Sequence, residues 1–337
     1  MGAVLSVLLG LTGAVVYGAA DFLGGLAARR VRAVTVAAAA AAVGLVPLAV
    51  GVPVVGAAFS GAAVAAGVAA GVSGSVAVLL LYRALAVGPM SVLSPLTAVF
   101  AAVTPVAVAL LGGTVLSLAA SVALVVAVVA VVLVAAVRDT SGARVTAVGI
   151  VTALVAGCGF GGIVLAYDAA PGDAGVATLL VGRVVQTVLL GAVAIVVAVR
   201  SGPVRTGGAD HVAPSASAVR SAAGGVRGQR RPGSSRWSGR SRCSSWSRWS
   251  RWSRWSRRTV VAVVACGVLD ALANACIQAA LHVGSGGAAL PVVSVLNALY
   301  PIGTVVLAGV VLRERLTAVQ WTGIVLAFVA SVGLALA

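Results

Sequence analysis

Asp270, Asn274 and Gln278 stand four residues apart in a stretch that is otherwise almost wholly apolar. On a helix that i, i+4, i+8 spacing draws one polar stripe, drifting by roughly 80° over its length. His282 continues the stripe to the helix end. In apolar surroundings such a stripe either lines a pathway that solvates a polar solute or a coupling cation, or ties neighbouring helices together by hydrogen bonds. The carboxylate favours the pathway, because a charge at membrane depth costs about 2.5–3.5 kcal/mol and makes poor glue. Arg183, with Gln186 one turn on, lies at a depth similar to that of Asp270. Asp21 and Arg83 lie at similar distances from one membrane face. The expectation is one Asp–Arg couple per half, Asp21 with Arg83 and Asp270 with Arg183. An Arg83 that snorkels to the interface is the competing reading.

The elements that must hold these residues follow from composition. The chain is 61% hydrophobic and 9% charged, so lipid is the solvent for most of it. Apolar stretches long enough to span run over about 4–27, 34–52, 60–87, 91–112, 117–137, 146–167, 175–199, 259–282, 287–311 and 317–336. The second ends near Pro53, and the first is a spanning helix rather than a removed signal peptide. The fold class expected is an all-α polytopic membrane protein with ten transmembrane helices. Cys158, Cys266 and Cys276 lie in apolar helices and Cys243 in a basic stretch; none has metal-ligand spacing, and the three in helices read as buried small hydrophobes.

The chain repeats itself. Displaced by 196 residues, Ala84 falls on Ala280, Gly88 on Gly284, Pro95 on Pro291, Pro105 on Pro301 and Gly113 on Gly309, with Gly71-Val72 on Gly267-Val268. Five helices per copy make the copies inverted, the arrangement that lets a central site open to either face in turn. The expected division is 1–139 for the first repeat and 140–337 for the second, the latter interrupted by a disordered loop at 201–258. Pro95, Pro105, Pro291 and Pro301 remove backbone hydrogen bonds inside spanning helices and read as helix bends around a central cavity. Ser94, Thr97, Thr104, Ser294, Asn297 and Tyr300 surround them.

The run Tyr82-Arg83-Ala84-Leu85-Ala86-Val87-Gly88-Pro89-Met90-Ser91-Val92-Leu93-Ser94-Pro95-Leu96-Thr97-Ala98 resembles the third-to-fourth helix passage of the EamA family of the drug/metabolite transporter superfamily. The run from Asn297-Ala298-Leu299-Tyr300-Pro301 through Arg313-Glu314-Arg315-Leu316, Gln320-Trp321 and Gly323 resembles its fourth-to-fifth helix passage. Tyr17-Gly18-Ala19-Ala20-Asp21-Phe22-Leu23-Gly24-Gly25 is similar to the first helix of one branch. The likeness spans everything but the basic loop. It implies a multi-pass protein of the bacterial cytoplasmic membrane that exports or exchanges metabolites, amino-acid-like solutes or drugs, without a cofactor. The candidate substrate pathway comprises Tyr17, Asp21, Arg83, Arg183, Asp270, Asn274, Gln278, Asn297 and Tyr300. The first repeat has Ser117-Leu118 where the second has Arg313-Glu314. That cluster reads as an interfacial turn or as a gate closed by Glu314.

All 23 cationic residues are Arg, and 13 lie between Arg205 and Arg258 against one acid, Asp210, so this segment holds +12 of the net +16. Its Arg, Ser and Trp repeats predict disorder. It reads as a tolerated expansion, as a surface for anionic lipid headgroups, or, least of all, as a nucleic-acid contact. Arg residues follow helices 1, 5, 7 and 9, which by the positive-inside rule puts both termini outside; the family resemblance implies both inside. The function expected is a transporter with a small-molecule substrate, and a homodimer is among the expected assemblies. The alternative is a non-transporting anchor or regulator that presents the basic loop, which deletion of 205–256 would inactivate. Seven acids and two His, scattered, supply no enzyme site.

Overall fold

The computed structural model describes residues 2–87, 90–135, 146–200, 255–283, 289–311 and 317–336. The Gly88–Pro89 turn, Arg138, Asp139, the basic loop from 201 to 254, Gly284 and the Arg313–Glu314–Arg315 cluster lie outside these, as do the side chains of Ser94 and Pro95. The elements are α1 (Gly2–Ala28), α2 (Ala33–Val55), α3 (Gly61–Val87), α4 (Met90–Leu111), α5 (Leu118–Ala135), α6 (Ala147–Asp168), α7 (Ala177–Arg200), α8 (Arg257–Val283), α9 (Ala289–Asn297), α10 (Tyr300–Val311) and α11 (Ala318–Leu336). Among the described residues there is no strand, only one antiparallel bridge between Ala57 and Gly175.

Helix is forced on these Val-rich runs by their solvent. Lipid offers no hydrogen-bond partner, so each segment must satisfy its own backbone. At 1.5 Å per residue, 27 residues reach about 40 Å, beyond the roughly 30 Å of hydrocarbon. Six helices, α1, α2, α3, α6, α7 and α8, are long and apolar enough to cross; four shorter apolar stretches lie at Leu96–Leu111, Leu118–Leu133, Ala289–Thr304 and Trp321–Ala330. The chain is a multi-pass membrane protein. The starts of α3, α5 and α6 are capped by hydroxyls: Ser60 accepts from the Ala63 amide, Ser117 from Ala120 and Thr146 from Gly149, each at 3.1 Å.

One compact unit comprises Met1–Val197 and Ser256–Ala337; a second, Ala198–Trp255, contributes to the described residues only the last turn of α7 and Trp255. In the first unit α1 packs on α8, α9, α10 and α2, while α8 also packs on α2 and α6. α3 packs on α6 and α4, α4 on α6 and α9, and α5 on α11. Ala and Gly make these seams and let backbones come close. Val54, 85% exposed, and Phe328, 68% exposed, face outward while Arg183 is only 7% exposed. That is inside out for water and correct for lipid.

The prolines behave differently from expectation. α2 runs through Pro47 and Pro53 and stops only at Gly56, whose φ of 83° suits glycine. Pro291 sits in the first described turn of α9. α4 continues through Pro95 and Pro105, whereas the expected ninth helix is broken between α9 and α10, four residues before to just before Pro301. The Pro301 ring excludes the carbonyl of Asn297 from an ordinary helical turn. The chain instead tightens, with the Leu299 amide on the Leu296 carbonyl at 3.0 Å and the Ile302 amide on Leu299 at 2.9 Å. Cys158 is exposed, contrary to the reading of a buried hydrophobe; it faces away from the packed helices, while Cys266 and Cys276 are half-buried.

Candidate functional site

The helices α6, α7 and α8 bring their polar residues together. α7 contributes Arg183, whose Nη2 forms an ion pair with Oδ2 of Asp270 on α8; the side chains are 8% and 17% exposed. Arg183 Nη1 donates to Oε1 of Gln186 at 2.7 Å. Asn274 Nδ2 donates to the backbone carbonyl of Asp270 at 2.7 Å and to its Oδ1 at 3.4 Å. Tyr167 of α6 donates its hydroxyl to Oδ1 of Asn274 at 3.1 Å. The result is one polar chain, Gln186–Arg183–Asp270–Asn274–Tyr167, across α7, α8 and α6. Each charge is matched, as burial at this depth requires.

Elements of α1, α2 and α3 close over it. α1 supplies Tyr17, whose ring lies 5.8 Å from that of Tyr300 at 58°. α2 reaches the guanidinium at Gly44, where a Cβ would stand 3.6 Å from Arg183 Nε. α3 supplies Ala70 and Gly71. Tyr17, Gly71, Tyr167, Arg183, Gln186 and Asn274 line a cleft of about 20 Å³, the room one water needs. Among the described residues no group of three His, Cys, Asp or Glu is placed to hold a metal.

The stripe on α8 therefore divides. Asp270 and Asn274 enter the polar chain, whereas Gln278 donates to the Gly175 carbonyl at 3.1 Å and His282 Nε2 bonds the Tyr167 carbonyl at 3.1 Å. The expected Asp270–Arg183 couple is present. No ion pair joins Asp21 to Arg83 among the described residues. Arg83 is exposed near the end of α3, and Asp21 is exposed one turn beyond Tyr17 on α1. Equal depth did not make these two neighbours, because α1 packs on α8 there, where a Cβ on Gly24 would stand 3.1 Å from the Cys266 sulfur. Asn297 ends α9 with a buried Oδ1 that has no partner among the described residues, and Tyr300 begins α10. Tyr167 was not singled out from the sequence. Its signal was scarcity: the chain has four Tyr, and Tyr17, Tyr167 and Tyr300 are three of them.

Residues 243–336 match the EamA-like transporter family. That family belongs to the drug/metabolite transporter superfamily and consists of transporters, not enzymes. The EamA-like stretch carries Asp270, Asn274, Asn297 and Tyr300, whereas Arg183, Tyr167 and Tyr17 stand before it. A solved structure described only as the crystal structure of a protein is similar over 97% of both chains, with a TM-score of 0.64 and 13% identity, a likeness of fold alone. No curated protein matches by sequence. The EamA match and the apolar helices together point to a membrane transporter.

Proposed function

We propose that the chain is an EamA-like transporter of the bacterial cytoplasmic membrane. Ten membrane helices form two inverted five-helix repeats, 1–139 and 140–337, the second interrupted by the loop at 201–258. Small metabolites or drugs are exported or exchanged by alternating access, and the Arg183–Asp270 chain is where they bind. The observation that carries this reading is a charged, hydrogen-bonded chain enclosed between elements of the two halves at membrane depth. A cleft with room for one water admits no metabolite, so loading requires the halves to part.

The packing supports the inversion. α1 lies on α8 as α6 lies on α3, and α1 lies on α9 and α10 as α6 lies on α4. Gly10 of α1 faces Leu296 at 3.3 Å, and Gly157 of α6 faces Phe100 at 2.6 Å, measured from the Cβ position of each glycine. Phe100 and Leu296 are 196 residues apart, the displacement that aligns the repeats.

The test is a metabolite panel read by thermal shift on purified wild type and Asp270→Asn, followed by flux of any hit in proteoliposomes. A ligand that stabilises wild type alone and crosses the bilayer supports the reading. Equal shifts in both proteins would remove the site from Arg183–Asp270, and a bound ligand without flux would remove the transport.

A further inference from the structure

We propose that the start of α8 and the α1–α2 connection form a binding site for an anionic phospholipid. Arg30, Arg257 and Arg258 hold its headgroup, and an acyl chain lies in an apolar groove along α8. The groove is lined by Val260, Val261, Val264, Ala265, Val268 and Leu269 and has a volume of about 420 Å³. Val261, Ala265 and Leu269 form one i, i+4 row, in which the single methyl group of Ala265 leaves a hollow between two larger side chains. From Val260 to Leu269 the groove runs about 14 Å along the helix. Asp270 points to the other side of α8, toward Arg183, so the groove is separate from the polar chain.

The arginines stand at one end of this groove. Arg257 continues the row of Val261, Val264 and Val268 by i, i+4, i+7 and i+11 spacing, and Arg258 that of Ala265 and Leu269 by i+7 and i+11. Helical side chains lean toward the N-terminus, which carries both guanidinium groups out to headgroup level. Arg30 joins them from the α1–α2 connection, where its Nη1 donates to Oγ of Ser256, the residue before α8, at 3.3 Å. Arg32 is engaged elsewhere, on the Val197 carbonyl at 3.2 Å. Arg30, Arg257 and Arg258 are exposed, and no carboxylate pairs with them among the described residues. The last turn of α1, the connection and the first three turns of α8 hold no acid.

Three guanidinium groups at the positive end of the α8 dipole thus meet at the mouth of an apolar groove. A phosphodiester carrying acyl chains matches both parts, since guanidinium forks bind its oxygens and the hollow takes a chain. A second copy of this chain would bring the same positive charges to the mouth, and the segment before α8 is itself rich in arginine, so both have the wrong sign. Because Arg30 and the α8 pair come from different elements, one headgroup spanning them fastens the connection to α8.

The test uses the full chain in phosphatidylcholine nanodiscs doped with phosphatidylglycerol or phosphatidylcholine bearing the same diazirine acyl chain. Photolysis and peptide mapping read the labelling over 260–269. Phosphatidylglycerol should label this stretch about fivefold or more above phosphatidylcholine, the factor that a single arginine contributes near anionic lipid. Arg257→Gln with Arg258→Gln leaves the arginines from Arg205 to Arg254 in place and should bring the two lipids level. Ala265→Phe fills the hollow and should lower labelling by both. Equal labelling by the two lipids in wild type, or labelling that Ala265→Phe leaves unchanged, overturns the proposal. So does an enrichment that the double arginine variant keeps, which would mean that the preceding arginines gather the headgroup. Absence of labelling over 260–269 overturns it too, and a dimer in the same preparation would then name a second copy as the occupant. A metabolite panel that fails while the enrichment persists sinks the transporter reading and leaves the lipid site.

Discussion

A Cβ on Gly71 of α3 would meet the Gly182 carbonyl at 2.6 Å and the Val185 Cβ at 2.7 Å of α7. A Cβ on Gly267 of α8 would meet the Ala40 carbonyl and, at 2.9 Å, the Val43 Cβ of α2. The glycines are 196 residues apart, and each meets a carbonyl and the valine three positions later, so one crossing is made twice. What the crossings carry differs. With Ala40 and Val43 in the places of Gly182 and Val185, Arg183 corresponds to Ala41, and at the 196-residue displacement Asp270 corresponds to Gly74. A Cβ on Gly74 would already stand 3.1 Å from Ile163 and 3.2 Å from Gln186 Nε2, which leaves no room for a carboxylate. Backbone packing is duplicated and charge is not. Both charges sit on the second-half helices α7 and α8.

The largest effect should come from unpairing those charges. Asp270→Ala or Arg183→Ala each strands a buried charge and should lower unfolding stability by about 3–5 kcal/mol. The double change Arg183→Met with Asp270→Leu should recover nearly all of it, because a well-packed apolar pair replaces a buried ion pair at little net cost. Chemical unfolding in detergent measures all three. If the double variant is as unstable as the singles, the pair is not an isolated one-sided insertion into a shared scaffold, and the comparison breaks.

The scaffold itself is tested by its glycines. Gly71→Ala and Gly267→Ala each force two backbones apart and should cost about 1–3 kcal/mol. The two losses should agree within about 0.5 kcal/mol and add in the double variant, as distant independent sites do. Unfolding curves that show one substitution silent would mean that the crossings only look alike.

How much of this the sequence carried depends on direction. Hydropathy reports depth along the membrane normal, and the helices begin and end within a few residues of where apolar runs place them. It does not report which helices stand side by side. Asp270 found Arg183 because α7 and α8 bring them together, whereas Asp21 and Arg83, equally matched in depth, did not meet. Tyr167 reaches Asn274 across 107 residues, and no local period announces such a bond. The stripe on α8 was legible as a helical face, yet its division between the polar chain and the α6–α7 connection was set by what packs above it, the Gly175 carbonyl and the Tyr167 carbonyl.

The smallest effect concerns why one proline breaks its helix and its counterpart does not. Pro105 and Pro301 are 196 residues apart, and α4 is continuous where α9 and α10 are separate. The residues before them differ. Thr104 turns its hydroxyl back onto the Phe100 carbonyl at 2.7 Å, supplying a side-chain bond within the turn that Pro105 disturbs. Tyr300 has no hydroxyl near its backbone and instead places its ring against Tyr17. Thr104→Val keeps the shape and removes that bond, so stability should fall by about 1 kcal/mol. Amide exchange over 100–107 should rise as α4 loosens toward the broken form of its counterpart. If neither changes, the hydroxyl does not hold α4 together, and the break must originate in the Asn297–Tyr300 segment, where the aromatic contact draws the chain out of the helix.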